Sequence, residues 1–318
     1  MQLYQIILLS LLILIVVLFV IYLIFGYKVV KIMLTPNRER DKEHSPAVSP
    51  DKTHQQRYEQ VWLKNTSHTE VSIVSFDKLK LVGYLYMNKV TSNKYIIAVH
   101  GYNGYWKELS IPCKHYYEDL GYNILFINQR AQNKSEGKYM SMGYNEKFDV
   151  IKWCNFIISS DSQAQICLFG HSMGAATVMM DCGMKSLPRN VRCAIEDCGY
   201  SSIKEQVNYI ANIEKRTIPD FLLSSLSVAA KLFFHISFTK DSPTAMLNRS
   251  ITPMLFIHGG SDTYVPFKFL ERNYQALTNK DVYKDKLVVQ PACHGMSFIY
   301  DEKAYIEKSE YFLQKCIK

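Results

Sequence analysis

Apolar residues follow three patterns along this chain. The first is an unbroken run: Leu3 to Phe25 are apolar except for Tyr4, Gln5, Ser10 and Tyr22, and no charged residue or histidine precedes Lys28. As a helix this run spans roughly 35 Å, enough to cross a hydrocarbon core of about 30 Å with some tilt. The second pattern, from His54 onward, alternates short β-rich runs with amphipathic stretches. Val71–Phe76 and Leu79–Met87 read as a hairpin, and Tyr95–Val99, Asn123–Asn128, Gln165–Phe169, Arg192–Glu196, Pro253–His258 and Lys286–Gln290 as further strands. Helical periodicity covers Lys107–Leu120, Asn145–Ile158, Met173–Lys185, Pro266–Leu277 and Glu302–Lys315. Such alternation predicts an α/β fold, a mostly parallel central sheet with helices on both faces. The third pattern breaks the rhythm: Ser201–Leu247 has almost no strand signal and contains the apolar stretch Phe221–Phe238, so it reads as an inserted helical cap.

These patterns divide the chain into a transmembrane anchor over 1–30, a linker over 31–53 and a body over 54–318, with the cap at about 201–247. The linker holds Pro36, Pro46 and Pro50 among charged residues. A cleaved signal peptide would show a basic start, an apolar stretch of about 7 to 15 residues and a small-residue cleavage site. None of these is present, so the helix is expected to stay, making a single-pass protein of the cell membrane. Lys28, Lys31, Arg38, Arg40 and Lys42 all follow the apolar run, and such a bias predicts a cytoplasmic body.

Composition narrows the function classes. With 318 residues, 48% hydrophobic and 21% charged, the chain is neither disordered nor collagenous. The net charge of +8 is scattered, with no basic helix or aromatic-interleaved stripe, which argues against a nucleic-acid partner and suits a surface over anionic lipid. The eight cysteines include no pair of Cys-x-x-Cys motifs, so nothing points to structural zinc.

The sharpest motif is Gly170-His171-Ser172-Met173-Gly174, directly after the apolar run Ile166–Phe169 and before a helical stretch. A Gly-x-Ser-x-Gly segment between strand and helix is a nucleophile elbow, a tight turn that lifts the serine hydroxyl above the sheet edge. A serine hydroxyl needs a base, and the base needs an orienting carboxylate. In such sheets the order is Ser, then acid, then His. Asp262 follows the strand ending at His258, and His294 follows the last strand, so Ser172, Asp262 and His294 are the candidate catalytic residues. Glu196 and Asp197, after the preceding strand, are the alternative acids; His171, His258 and His235 are weaker candidates for the base. An oxyanion needs preorganised donors: the backbone N–H of Met173 at the helix start, and that of Tyr102 in the loop His100-Gly101-Tyr102-Asn103-Gly104.

With these segments, and with Glu196-Asp197-Cys198-Gly199-Tyr200 and His258-Gly259-Gly260-Ser261-Asp262-Thr263-Tyr264-Val265-Pro266, the chain resembles the alpha/beta-hydrolase superfamily over about Val71–Phe312. It is similar to membrane-anchored bacterial serine hydrolases of the serine aminopeptidase or lysophospholipase-like type. The family pattern Asp-x-Arg-Gly-x-Gly-x-Ser is only partly kept by Asn128-Gln129-Arg130-Ala131-Gln132-Asn133-Lys134-Ser135, and its missing glycines predict an altered loop. The resemblance implies a serine hydrolase acting on small-molecule or lipid-derived esters, with no metal or organic cofactor. A peptidase, thioesterase or acyltransferase on the same residues stays open, as does a non-catalytic membrane-tethered binding module. In the cap, Phe233 and Phe234 are candidates for lining an acyl pocket.

Overall fold

The computed structural model describes residues 2–36, 61–213 and 219–318. Eight strands form one sheet: β1 (Thr69–Val74), β2 (Lys80–Tyr86), β3 (Lys94–Val99), β4 (Asn123–Ile127), β5 (Gln165–His171), β6 (Val191–Asp197), β7 (Met254–Gly259) and β8 (Lys284–Val289), in the order β1-β2-β4-β3-β5-β6-β7-β8. β1 pairs antiparallel with β2, and β2 with β4; every other pairing is parallel. The central strands β3, β4, β5 and β7 are nearly continuous apolar runs because both of their faces are covered.

Ten α-helices have fully described bounds: α1 (Leu3–Leu34), α2 (Ser110–Glu118), α3 (Glu146–Ser160), α4 (Met173–Cys182), α5 (Ile203–Ile213), α6 (Asp220–Phe234), α7 (Pro243–Leu247), α8 (Lys268–Ala276), α9 (Ser297–Tyr300) and α10 (Glu302–Cys316). The two-residue period of β3 sorts its side chains between two cores. Ile97 and Val99 face one core with Trp153 of α3 and Ala176 and Met179 of α4; Ile96 and Ala98 face the other with Tyr116 of α2 and Phe312 of α10. Between β6 and β7 the described residues contain only helices, α5 to α7, as the cap reading expects.

The amino-terminal helix runs past the anchor boundary expected at residue 30 and ends at Leu34. Lys28 and Lys31 look like the end of an apolar segment, but both point to the exposed side. Val30 and Leu34 continue the apolar stripe one turn apart and are fully buried in the larger core. Leu34 also accepts a 2.8 Å hydrogen bond from the Met140 amide. Most of the expected linker, residues 37–53, lies outside the described residues.

The segment Asn128–Ser135 departs from expectation in the opposite sense. Ala131 (φ 63°) and Asn133 (φ 49°) stand where the family pattern has glycine, and both adopt the left-handed backbone glycine favours. The loop keeps this shape because Arg130 clamps it. Its guanidinium donates to Asp149 at 2.7 and 2.9 Å and to Asp77 at 2.9 and 3.2 Å. The Ser135 hydroxyl adds a 2.8 Å bond to the Asn128 carbonyl.

Candidate active site

The site is assembled at the carboxyl ends of β3, β5, β6 and β7. Ser172 links β5 to α4 with φ 55° and ψ −115°, a strained conformation for a residue other than glycine. Its neighbours make that turn possible. A Cβ on Gly174 would lie 1.9 Å from the Val99 carbonyl oxygen, so only glycine lets α4 start this close to β3. The Ser172 amide donates to the Asp197 carbonyl at 2.8 Å, fixing the turn to the end of β6.

Three side chains meet here in a hydrogen-bonded chain. The Ser172 Oγ is 2.9 Å from His294 Nε2, and His294 Nδ1 is 2.7 Å from Asp262 Oδ2. All three residues are buried. The other carboxylate oxygen of Asp262 accepts the amides of Tyr264 and Val265 at 2.9 and 2.8 Å, so the acid is held at both ends. Burial alone would raise the Asp262 pKa, but hydrogen bonds and charge from His258 and His294 outweigh it and hold the carboxyl well below its ordinary range. With Nδ1 donating to the carboxylate, Nε2 is left as the acceptor for the serine hydroxyl.

Met173 begins α4, and first-turn amides have no intrahelical acceptor, so its N–H sits at the Ser172 side of the helix dipole. The loop after β3 comes close on the opposite side: a Cβ on Gly101 would be 3.2 Å from Ser172 Cβ. His100 braces this loop from below. Its Nδ1 is 2.9 Å from the Gly101 carbonyl and its Nε2 accepts the Gln129 amide at 3.2 Å. Full burial pushes the His100 pKa down to about 4, keeping the ring neutral.

The remaining sequence candidates are placed differently. Glu196 accepts the Gly199 amide at 2.9 Å and Asp197 accepts the Tyr305 hydroxyl at 3.1 Å; the His294 Nδ1 bond goes to Asp262. His235 caps α6 in the left-handed conformation on the exposed surface. Within the elbow, the His171 ring lies 6.0 Å from His294. Phe233 and Phe234 pack on Tyr27 of α1, with ring centroids at 5.2 and 5.7 Å, and Phe234 also meets Tyr139 at 5.1 Å. They sit in the seam between the amino-terminal helix and the cap.

Two further residues border the acid and the base. His258, one of the weaker candidates for the base, lies on the acid instead: its Nε2 is 3.3 Å from Asp262 Oδ2 and 2.9 Å from the Val265 carbonyl, a place that its i, i+4 spacing with Asp262 signals. The Tyr264 ring faces His294 at 5.1 Å. Cys198, Asp262 and His294 also bring a thiol, a carboxylate oxygen and a ring nitrogen within 4.8 Å of one another, a donor set that could hold a metal ion. Both Asp262 oxygens and both His294 nitrogens are already engaged within the protein.

This strand order, with the serine on the turn after β5, an acid after β7 and a histidine after β8, defines an alpha/beta hydrolase. Residues 113–318 match the model of the prolyl oligopeptidase family, and the chain belongs to that family as a serine hydrolase of the alpha/beta-hydrolase type. The uncharacterized Bacillus subtilis (strain 168) protein YqkD is 29% identical over 205 residues, which is 64% of this chain and 66%, just under two thirds, of that protein. Among solved structures, a Pyrococcus furiosus esterase is similar with a TM-score of 0.66 at 21% identity, covering 90% of this chain and 99% of its own. The Pyrococcus horikoshii acylaminoacyl peptidase has a TM-score of 0.60 at 17% identity, covering 82% of this chain and 44% of its own. Both likenesses are of fold.

Proposed function

We propose that the chain is a membrane-tethered esterase that cleaves carboxylic esters through an acyl-enzyme on Ser172. The observation that carries this reading is the chain of hydrogen bonds from Asp262 through His294 to Ser172 at a strained elbow. Ser172 Oγ attacks the ester carbonyl carbon while His294 Nε2 takes its proton, and Asp262 holds the ring and stabilises the imidazolium. The backbone N–H groups of Met173 and Tyr102 stabilise the oxyanion. Collapse expels the alcohol, which takes the proton from His294; water, activated by the same nitrogen, then releases the acid.

Lipid-derived esters are the substrates this reading favours. Among the described residues α1 is the one helix long and apolar enough to span a membrane, and the cap is packed against it. The positive charges after the apolar run support a body on the cytoplasmic side. Labelling of detergent-purified protein by a fluorophosphonate, followed by a chain-length series of nitrophenyl esters, tests both parts. Octanoyl esters should outpace acetyl esters, since each buried CH₂ contributes up to about 0.8 kcal/mol; the reverse order would move the protein to small esters.

A peptidase is the second reading, and the family match favours it. Probe labelling together with faster hydrolysis of acylaminoacyl or aminoacyl nitroanilides than of any ester in the series would decide for it.

A further inference from the structure

The amino-terminal helix is divided by its surroundings. From Leu3 to Ile21 every residue is exposed, and contact with the body begins at Tyr22. Leu3–Tyr22 spans roughly 30 Å at 1.5 Å per residue, the thickness of a hydrocarbon core, so Tyr22 marks its edge, where tyrosine is favoured.

At that level the cap joins it. The Tyr22 hydroxyl is 2.8 Å from Ser224 Oγ of α6. A Cβ on Gly26 would lie 2.5 Å from the Ser225 carbonyl oxygen, so glycine lets the two helices touch backbone to backbone. Farther along, Tyr27 packs on Phe233 and Phe234. The contacts advance together in both segments, so α6 runs parallel to α1 with Ser224 beside Tyr22 and the turn before Ser224 at the edge of the span. On that turn Phe221 is 64% exposed, continuing the bare apolar surface of Leu3–Ile21 sideways onto the cap. Lys28, Lys31 and Lys231 are exposed in the turns above, at the height of lipid headgroups, where basic side chains are favoured.

We infer that α6 is a second membrane contact: its first turn, with Phe221 outermost, lies in the interfacial layer of the bilayer beside Tyr22 of α1. The occupant of this apolar face is lipid, because the face is continuous with the spanning surface and lies at its edge. The inference rests on α1 spanning the membrane and deepens the lipid-ester reading, since the cap would meet lipid directly.

Depth-dependent quenching tests it on the full chain in phosphatidylcholine–phosphatidylglycerol vesicles carrying bromine either near the headgroup or near the chain ends. The native Trp62, Trp106 and Trp153 are buried in the body and supply a background. Leu12→Trp, in the middle of the span, should lose its added emission mostly to the deep bromines. Phe221→Trp should lose its added emission mostly to the shallow ones. If Leu12→Trp is quenched and Phe221→Trp is not, or is quenched mainly by the deep bromines, α1 spans but the interfacial placement of α6 is wrong; a second copy covering Phe221 would give the unquenched result. If neither is quenched, the spanning reading falls with it. Fluorophosphonate labelling of Ser172 reports that each variant is folded. A nitroxide at Phe221→Cys in a Cys293→Ser/Cys316→Ser background, read by collision with oxygen against a water-soluble nickel chelate, gives the same decision should the tryptophan variant misfold.

Discussion

The phenol of Tyr102 donates a 2.6 Å hydrogen bond to the backbone carbonyl of Met33, so the loop that approaches Ser172 is tied to the last turn of the amino-terminal helix. That carbonyl belongs to the carboxyl-terminal turn of α1, where carbonyls lack helical partners. The expected result for Tyr102→Phe is a fall in kcat equivalent to about 1 kcal/mol, the net worth of a typical hydrogen bond. KM should change less, because the loop's proposed task is to aim an amide at the transition state. A loss confined to KM would remove this role.

Replacing Ser172 with Ala should abolish fluorophosphonate labelling and turnover with little effect on thermal stability. Asp262→Asn should lower kcat by about 10⁴, the scale found where such a carboxylate is neutralised. Glu196→Gln and Asp197→Asn should be far milder, and either one exceeding Asp262→Asn would reassign the acid.

Glu196 supplies a pH dependence with a definite sign. Full burial raises its pKa to about 8, against weaker opposing effects from His258 and the Gly199 amide. The native state therefore keeps a proton that the unfolded chain loses near pH 4.3, and stability falls as pH rises from there to about 8. Burial acts the same way on Asp197, raised to about 6. Thermal midpoints measured at pH 5 and pH 8 should differ less in Glu196→Gln than in the unaltered protein; an unchanged difference would show that Glu196 is not the source.

The Arg130 clamp predicts asymmetric costs. Arg130→Met leaves Asp149 buried without its partner and should cost about 3 to 5 kcal/mol. The double variant Arg130→Met/Asp149→Leu should recover much of that, because it removes the stranded charge as well. Denaturation midpoints of the two single variants and the double variant give the coupling directly. Additive losses would mean that the pair is not coupled.

For sidedness, Cys293 is an exposed thiol next to His294. A membrane-impermeant maleimide should label it only after cells are opened. Efficient labelling on intact cells would place the body outside.

Much of the sheet was legible because its central strands are short apolar runs bounded by turn residues, and the expected strands overlap the observed ones in order. The Ser172 turn was legible for the same reason: strand, glycines and helix follow one another without a gap. Three features were not. The end of α1 was obscured because Lys28 and Lys31 interrupt the apolar run along the chain but not on the buried face of the helix. The Ala131 and Asn133 backbone followed from a clamp by Asp77 and Asp149, both distant in sequence. Phe233 and Phe234 were readable as apolar cap residues, but their partner Tyr27 is about 200 residues away, and hydropathy along a chain carries no information about such pairings.

The burial of Val30 and Leu34 also bears on how the amino-terminal helix and the body stay together. A leash holds a domain only while it is intact, and a single proteolytic nick sets the domain free. Here the amino-terminal helix is gripped by packing and by the Tyr102–Met33 and Met140–Leu34 hydrogen bonds. A cut anywhere in residues 37–60 would sever the covalent connection and leave that grip in place, so shedding by proteolysis would require unfolding the seam as well.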